Sequence, residues 1–359
     1  MITVIGAGAL GSLVAAYLSW GEKDVILLDS DDNRIQEIRD NGVRTVGFRG
    51  ARNFQVEAKP MTELASLTPL QTVCLCVKPD RLDEVLDEVL PLSTADTVFV
   101  SLMGGFAPFS LAERTGTDRT VVAIANIECA LLDNGLVEND FDNFIWMGEL
   151  NNKFSERLER LQIDLSWLAP TFVTSVIQGQ IWGKALFSLQ AALVTLSDAR
   201  PLEVFRKKNN RDLAAALVRE NLDVADASGI QAIPFDYFDP NMYRAETPGE
   251  GKVMDIWTRN AWFRHEKFKD GVDGIEHDFP EQAGLMSGLT PKNPEEETSR
   301  LVQDLNDQAD RVGMKVQLTE AFLDIFLEVK DGVRKQGQAN LDDLYQRMLE
   351  LNMRVPGMA

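Results

Sequence analysis

Cysteine and histidine are scarce in this chain, which has three Cys and two His among its 359 residues. Cys74 and Cys76 alternate along an apparent strand, so their side chains face opposite sides and pair poorly. Cys129 completes no metal or disulfide pattern with them. His265 and His277 lack the close His-x-x-x-His spacing of a helical metal site. We therefore expect neither a disulfide framework nor a bound metal.

Positive charge and long apolar runs are also lacking. The chain has 36 Lys and Arg against 56 Asp and Glu, a formal net charge of −20 that repels nucleic acid and anionic membranes. No apolar run approaches the length of a membrane span, and the first strand leaves no room for a signal peptide. We expect a cytoplasmic protein whose partner is a small molecule.

A glycine-rich turn follows the first strand. Residues 2–11 read Ile-Thr-Val-Ile-Gly-Ala-Gly-Ala-Leu-Gly, and an apolar helical stretch comes next. Gly6 permits a tight turn, Gly8 lets backbone N–H groups approach a pyrophosphate, and Gly11 lets the helix pack closely on the strand. The helix N-terminus then offers partial positive charge to the phosphates. The residues predicted to bind a dinucleotide here are Gly6, Gly8, Ala9, Leu10 and Gly11.

An acidic residue, Asp29, ends the second apolar run of the chain. A carboxylate at this position accepts hydrogen bonds from the adenosine ribose hydroxyls and repels a 2′-phosphate. Arg34 is a nearby cation that could reach a 2′-phosphate, but the carboxylates beside it oppose that role. The pattern predicts NAD(H) rather than NADP(H) as the cofactor.

Strands and helices alternate over the first part of the chain. Three continuous apolar runs are typical of buried parallel strands, at 72–77, 97–102 and 120–125. Shorter runs at 43–46 and 54–58 predict a connecting hairpin. We expect an α/β fold in which residues 1–151 form a Rossmann-type, doubly wound parallel sheet that binds the dinucleotide.

Helical periodicity replaces this alternation from residue 152 onward, which predicts an all-helical domain over 152–359 that carries the substrate and catalytic groups. The stretch 234–294 differs from its surroundings because it is rich in aromatic residues, Gly and Pro. It is too apolar for a disordered linker, so we expect an insertion that packs on the helical domain.

Three motifs of the chain belong together. They are the turn Gly6-Ala7-Gly8-Ala9-Leu10-Gly11, the strand end Cys76-Val77-Lys78, and the helical element Ile181-Trp182-Gly183-Lys184-Ala185-Leu186. Taken together, they resemble the ketopantoate reductase family. The resemblance covers most of the chain except 234–294. It implies a Rossmann domain joined to a helical domain, and hydride transfer between a nicotinamide and a 2-oxoacid or its hydroxyacid.

The resemblance makes Lys184 the catalytic lysine, which would donate a proton to the developing alkoxide or hold that oxygen by its charge. Lys184 also stands in a helical stretch almost without other charge; a lysine that only snorkels from a buried helix is the alternative. Glu297 is the best match to the family's second functional residue, a glutamate that orients the substrate. Acids at the start of a helix also serve the helix dipole, so that role stays open.

Other positions are assigned by the same resemblance. Lys78 matches a lysine that contacts the cofactor and substrate region, and Gly104 stands in an Asn-Gly position that lets backbone approach the nicotinamide ribose. Ser188 and Ala192 replace asparagines that hold ketopantoate. Asp29 replaces the basic or small polar residue of NADPH-using members. These departures predict a substrate other than ketopantoate.

Two further residues are candidates for substrate contact, beside Lys78 and Ser188. Asn126 follows the 120–125 strand and is expected to face the cleft, and Arg259 could bind a substrate carboxylate through two hydrogen bonds. A surface ion pair is the competing role for Arg259.

The sequence thus predicts an NAD(H)-dependent oxidoreductase acting on a 2-oxoacid/2-hydroxyacid pair or a related secondary alcohol. An opine-type or 3-hydroxyacid dehydrogenase is the enzymatic alternative, because it shares the two-domain plan. A non-catalytic NAD-sensing protein is the alternative from another class. Monomer and homodimer are both open.

Overall fold

The computed structural model describes residues 1–236, 238–269, 294–353 and 355. The chain divides into two compact units, Met1–Ile177 and Gln178–Ala359. Residues 152–177, which the sequence places after the first domain, belong to the first unit because a strand within them extends its sheet.

One sheet organises the first unit. Its ten strands are β1 (Ile2–Ile5), β2 (Val25–Asp29), β3 (Val43–Gly47), β4 (Arg52–Phe54), β5 (Glu57–Pro60), β6 (Thr72–Leu75), β7 (Val98–Ser101), β8 (Thr120–Leu131), β9 (Val137–Glu149) and β10 (Thr171–Val173). They lie in the order β4-β3-β9-β8-β7-β6-β1-β2-β5, with β10 also paired to β9. All the pairs are parallel except β3 with β4 and β8 with β9.

Five helices accompany the sheet. They are α1 (Ala9–Trp20), α2 (Asp32–Asn41), α3 (Leu82–Val89), α4 (Ala107–Thr115) and α5 (Glu156–Leu165). Two begin at side-chain caps, because Asp31 accepts hydrogen bonds from the first backbone N–H groups of α2 and Ser155 accepts one from α5. The central strands β1, β6 and β7 are almost wholly buried, as their apolar composition predicts for strands covered on both faces. The predicted α/β class is confirmed.

The predicted hairpin from 43–46 to 54–58 is wrong in its second half. β3 pairs antiparallel with β4, but the chain leaves β4 at Phe54 and enters β5, which pairs parallel with β2. β4 and β5 are opposite ends of the strand order and only Gln55 and Val56 separate them. Because two residues span only a few ångströms, the sheet curls around α1, which contacts β2, β3, β4, β8 and β9.

The second unit is helical. After α6 (Ile177–Ala192) and a 3₁₀ turn at Leu193–Leu196 come α7 (Pro201–Arg206), α8 (Lys208–Ala227), α9 (Pro248–Lys269), α10 (Pro294–Arg311), α11 (Gln317–Lys330) and α12 (Gln338–Glu350). Helix α8, most of whose residues are buried, is its centre and contacts α7, α9, α10, α11 and α12. No helix in the described ranges is long and apolar enough to cross a membrane.

The described part of the predicted insertion packs on this helical core. A 3₁₀ turn at Pro240–Arg244 and helix α9 both contact α8. Arg211 of α8, itself buried, forms an ion pair with Asp255 of α9 with Nε to Oδ1 at 2.6 Å. Residues 270–293 of the insertion, His277 among them, lie outside the described residues.

Candidate active site

The glycine turn has the geometry that close backbone approach requires. Gly6 has φ +105°, and a Cβ there would lie 2.7 Å from the carbonyl oxygen of Cys76 on the neighbouring strand end. A Cβ on Gly11 would lie 1.9 Å from the carbonyl oxygen of Gly6. Only glycine fits either position. Gly8, in contrast, has nothing within 4 Å of an added Cβ, so the turn is open on the side where α1 begins.

The first backbone N–H groups of α1 have no side-chain cap, because Gly8 is the N-cap residue and α1 starts at Ala9 and Leu10. Uncapped N–H groups at a helix N-terminus, together with the helix dipole, are a binding site for a phosphate group. The residues at the turn therefore fit the pyrophosphate of a dinucleotide.

Asp29 is held against this turn by hydrogen bonds. It is the last residue of β2 and is half-buried. Its Oδ2 accepts from the backbone N–H of Ala7 at 2.5 Å, and its Oδ1 accepts from the N–H of Asp31 at 2.9 Å. Each carboxylate oxygen accepts more than one hydrogen bond, so both keep capacity for ribose hydroxyls.

Arg34 is an internal brace of the same turn and does not present its charge to solvent. Only 9% of its side chain is exposed. Its Nε donates to the Ala7 carbonyl at 3.2 Å, its Nη2 to Ser12 Oγ at 3.1 Å and its Nη1 to the Gly135 carbonyl at 2.9 Å. It also forms an ion pair with Glu37, and burial lowers the pKa of the guanidinium. These bonds occupy all three nitrogens, which leaves little of Arg34 for a 2′-phosphate.

Lys78 and Gly104 follow two strands adjacent to β1. Lys78 comes three residues after β6 and Gly104 three after β7, and both are exposed. Because β2, β1, β6 and β7 are parallel neighbours, their carboxyl ends share one edge of the sheet. The topology therefore places Lys78 and Gly104 at the edge that carries the glycine turn and Asp29, where ligands bind in open α/β sheets.

Asn126 lies within β8 instead of following it. The strand predicted to end at Ala125 continues to Leu131, because its second half pairs antiparallel with β9. Asn126 is opposite Phe144, beside a register shift at Ile127. Its buried Nδ2 has no hydrogen-bond acceptor among the described residues, and contact of Asn126 with a substrate stays a prediction.

Lys184 lies on α6 in the second unit. Trp182, two residues earlier, is fully buried, and the helical period turns Lys184 to a different face, where it is half-buried. Burial lowers the pKa of the Lys184 ammonium, while the carboxylate of Glu297 acts in the opposite direction. The structure thus brings Lys184 and Glu297, distant in sequence, into electrostatic contact.

The remaining predicted positions have the following places. Glu297 is in the first turn of α10 and is exposed. Ser188 is one helical turn beyond Lys184 and is half-buried. Arg259 is exposed on α9, and its role in binding a substrate stays a prediction.

Sequence reasoning missed Phe235, whose ring centroid lies 5.6 Å from Lys184 Nζ. It also missed why glycine occupies position 183: a Cβ there would lie 1.9 Å from the carbonyl oxygen of Ile233. The spacing of Gly179 and Gly183, one turn apart on α6, was the available signal, since small residues on one helix face permit close approach of another segment.

Comparison with known proteins gives a family match and several fold relatives. The family model described as "Ketopantoate reductase PanE/ApbA" matches residues 2–152. The 2-dehydropantoate 2-reductase of Lactococcus lactis is 28% identical over 105 residues, 29% of this chain and 33% of that protein. The 2-dehydropantoate 2-reductase of Halobacterium salinarum is 23% identical over 232 residues, 64% of this chain and 76% of that protein.

Solved structures extend the likeness over nearly the whole fold. A putative ketopantoate reductase from Ralstonia solanacearum superposes with a TM-score of 0.70 at 17% identity, covering 92% of this chain and 98% of that one. D-mandelate dehydrogenase, solved with NADH and anilino(oxo)acetate, superposes with a TM-score of 0.68 at 16% identity, covering 96% and 99%. Residues 2–152 therefore match the ketopantoate reductase family model, and the chain as a whole shares the fold of these solved structures.

Proposed function

We propose that this protein is an NAD(H)-dependent oxidoreductase that transfers a hydride between the nicotinamide and a 2-oxoacid/2-hydroxyacid pair or a related secondary alcohol, and that it acts in the cytoplasm. The observation that carries the proposal is Lys184, a half-buried ammonium with a lowered pKa and the carboxylate of Glu297 acting on it. A charged donor of this kind suits an oxygen that becomes negative during the reaction.

The cofactor supplies or accepts the hydride when it is bound. The open position at Gly8 and the uncapped start of α1 fit its pyrophosphate. Asp29 fits the adenosine ribose, and its negative charge disfavours a 2′-phosphate. The involvement of Arg34 in the turn itself supports the same preference for NAD(H).

Lys184 would deliver the proton in the direction of reduction. Hydride addition to the carbonyl carbon breaks the C=O π bond and places a negative charge on oxygen, and the Lys184 ammonium donates a proton to it. The lowered pKa makes the ammonium a better acid near neutral pH. The negative charge of Glu297 favours the protonated form of Lys184, and Glu297 is the second residue that we assign to the site.

The half-buried face of α6 bears on the choice of substrate. Lys184, Phe187 and Ser188 are at i, i+3 and i+4, so they are neighbours on the helix surface, and all three are half-buried. A substrate whose oxygen reaches Lys184 would therefore meet the Phe187 ring and the Ser188 hydroxyl. This favours a 2-oxoacid with an apolar or aromatic group, as does the fold relative solved with anilino(oxo)acetate.

The test is NADH oxidation by the wild type and by Lys184→Ala with a panel of 2-oxoacids that includes ketopantoate and phenylglyoxylate. We expect both proteins to bind NADH alike and the turnover of the variant to fall by about 10²–10⁴-fold, the usual contribution of a positioned acid. Lys252→Ala, which removes an exposed lysine of α9, is the matched control.

The pH dependence adds a second readout. Only the ammonium form donates, so the rate of reduction should fall as the pH rises through the pKa of Lys184, below the usual value of 10.5. Turnover by Lys184→Ala within tenfold of the wild type would refute the role of Lys184. NADH binding without turnover of any panel member would favour the sensing protein.

A further inference from the structure

The chain segment 231–235 packs directly on the helix that carries Lys184. The backbone N–H of Ile233 donates to the carbonyl of Gly179 at 3.0 Å. The Ile233 carbonyl oxygen lies where a Cβ on Gly183 would be, 1.9 Å from that position. The two glycines of α6 therefore let this segment approach closer than any side chain would permit, and they fix its place beside Lys184.

A tight turn then fixes Phe235. Phe235 and Phe238 exchange two backbone hydrogen bonds, of 2.9 and 3.0 Å, around Asp236, which has φ +53°. Only 2% of Phe235 is exposed, and its ring lies 6.1 Å from that of Phe187. A ring this closely packed has little freedom to turn its face away from its neighbours.

Contacts of Phe238 fix the turn that contains Phe235 to the rest of the second unit. The ring of Phe238 stacks on Tyr243 at 5.2 Å between centroids. The Tyr243 hydroxyl accepts from Gln190 Nε2 of α6 at 2.6 Å and lies 2.9 Å from Thr258 Oγ1 of α9. Burial raises the pKa of Tyr243 to about 12, so this hydroxyl keeps its proton over the physiological range. The turn that contains Phe235 is thus held on one side by the contacts of Ile233 with α6 and on the other by the contact of Phe238 with Tyr243.

We propose that Phe235 is a positioning residue for Lys184. The face of the Phe235 ring holds the Lys184 ammonium at the place where the reacting oxygen of the substrate arrives. The 5.6 Å between Nζ and the ring centroid is within the range of a cation–π interaction. This inference rests on the proposed function for what Lys184 does, but the contact itself stands on the geometry.

The groups around Lys184 explain why an aromatic ring suits this position. Glu297 faces it from α10 as a charge, while Phe187 on α6 and Phe235 on the turn are neutral, and the neighbouring Asp236 is exposed. A ring face favours the ammonium over the amine without accepting a strong hydrogen bond from it. Phe235 therefore opposes the loss of charge that burial of Lys184 causes.

The test measures the pKa of Lys184 without any substrate. Trace acetylation with acetic anhydride, read by mass spectrometry across a pH series, gives the pKa of an individual lysine. In Phe235→Leu we expect this pKa to fall by about one unit, since a desolvated cation–π contact is worth about that much. Phe235→Tyr keeps the ring and should stay near the wild type, and Phe322→Leu, which changes a fully buried ring of α11, is the control for loss of a buried ring elsewhere in the same unit.

Fluorinated phenylalanine at position 235 provides a second variant that preserves shape. Adding fluorine weakens the negative ring face while leaving packing nearly unchanged, so the pKa of Lys184 should fall stepwise with the number of fluorine atoms. An unchanged pKa in the folded fluorinated series would overturn the proposal, even if Phe235→Leu failed to fold. If the pKa shifts but no 2-oxoacid is reduced, the contact stands and the proposed function fails.

Discussion

Replacing Gly183 by Ala tests whether the close approach of residues 231–235 to α6 keeps Phe235 beside Lys184. The added Cβ would lie 1.9 Å from the Ile233 carbonyl oxygen, whereas ordinary contacts begin at 3.4 Å, so the segment must retreat by about 1.5 Å. The backbone N–H of Ile233 donates a hydrogen bond to the Gly179 carbonyl at 3.0 Å, and a retreat of about 1.5 Å would break this hydrogen bond.

The expected loss of stability is the sum of an overpacking cost and the cost of the broken hydrogen bond. Overpacking a tight contact costs about 1–3 kcal/mol, and the lost hydrogen bond costs about 1 kcal/mol more. We therefore expect Gly183→Ala to lower the free energy of unfolding by about 2–4 kcal/mol in urea titrations followed by circular dichroism. It should also lower the pKa of Lys184, because the retreat carries Phe235 away from the ammonium.

Gly249→Ala is the matched control. Gly249 is also in a helix of the second unit, but an added Cβ meets only the Thr247 hydroxyl oxygen at 4.0 Å. Alanine there should leave stability unchanged or raise it by up to about 1 kcal/mol, because Ala is the better helix former. Equal urea midpoints for Gly183→Ala and the wild type would show that the segment around Ile233 can move away from α6 at no cost in stability. Phe235 would then not be fixed beside Lys184.

Two other substitutions test the first unit and the helical core. Asp29→Asn should raise the dissociation constant of NADH about 10- to 100-fold in fluorescence titrations, since a charged hydrogen bond is worth about 1.5–3 kcal/mol. It should also narrow the difference between the dissociation constants of NADH and NADPH. The exposed Asp96→Asn is its control, and unchanged NADH affinity in Asp29→Asn would contradict the assignment. Glu220 is 8% exposed and accepts from the N–H groups of Leu318 and Thr319 at the start of α11, at 3.0 and 2.8 Å. Glu220→Gln has one acceptor oxygen for these donors and should lose about 1–3 kcal/mol of stability. Glu320→Gln, which changes an exposed residue of α11, should lose almost none. Equal losses of stability in the two variants would show that Glu220 does not stabilise the start of α11.

Local patterns were sufficient for most of the elements. The turn from Gly6 to Gly11 has one backbone solution that fits its spacing, and the apolar runs of β1, β6 and β7 are long enough only for buried strands. Helices α8 and α12 lie in the region after residue 152 where helical periodicity is predicted, because each has an apolar face.

Strand partners were beyond local patterns. The run 54–58 looks like one strand, yet it is divided between opposite ends of the sheet, because the choice of partner depends on how the sheet curls around α1. The continuation of β8 through Asn126 to Leu131 has the same origin, since residues with mixed polarity stay in a strand when β9 supplies their hydrogen bonds.

The sequence by itself determined the α/β class and the glycine turn with Asp29, and it marked Lys184 as a candidate, because each depends on residues close together in the chain. Tertiary structure alone decided the use of Arg34 as a brace of that turn, the electrostatic contact of Glu297 with Lys184, and the ring of Phe235 beneath the ammonium. These contacts join residues 27 to 113 positions apart, and their energies depend on burial and distance, which no local pattern of residues encodes.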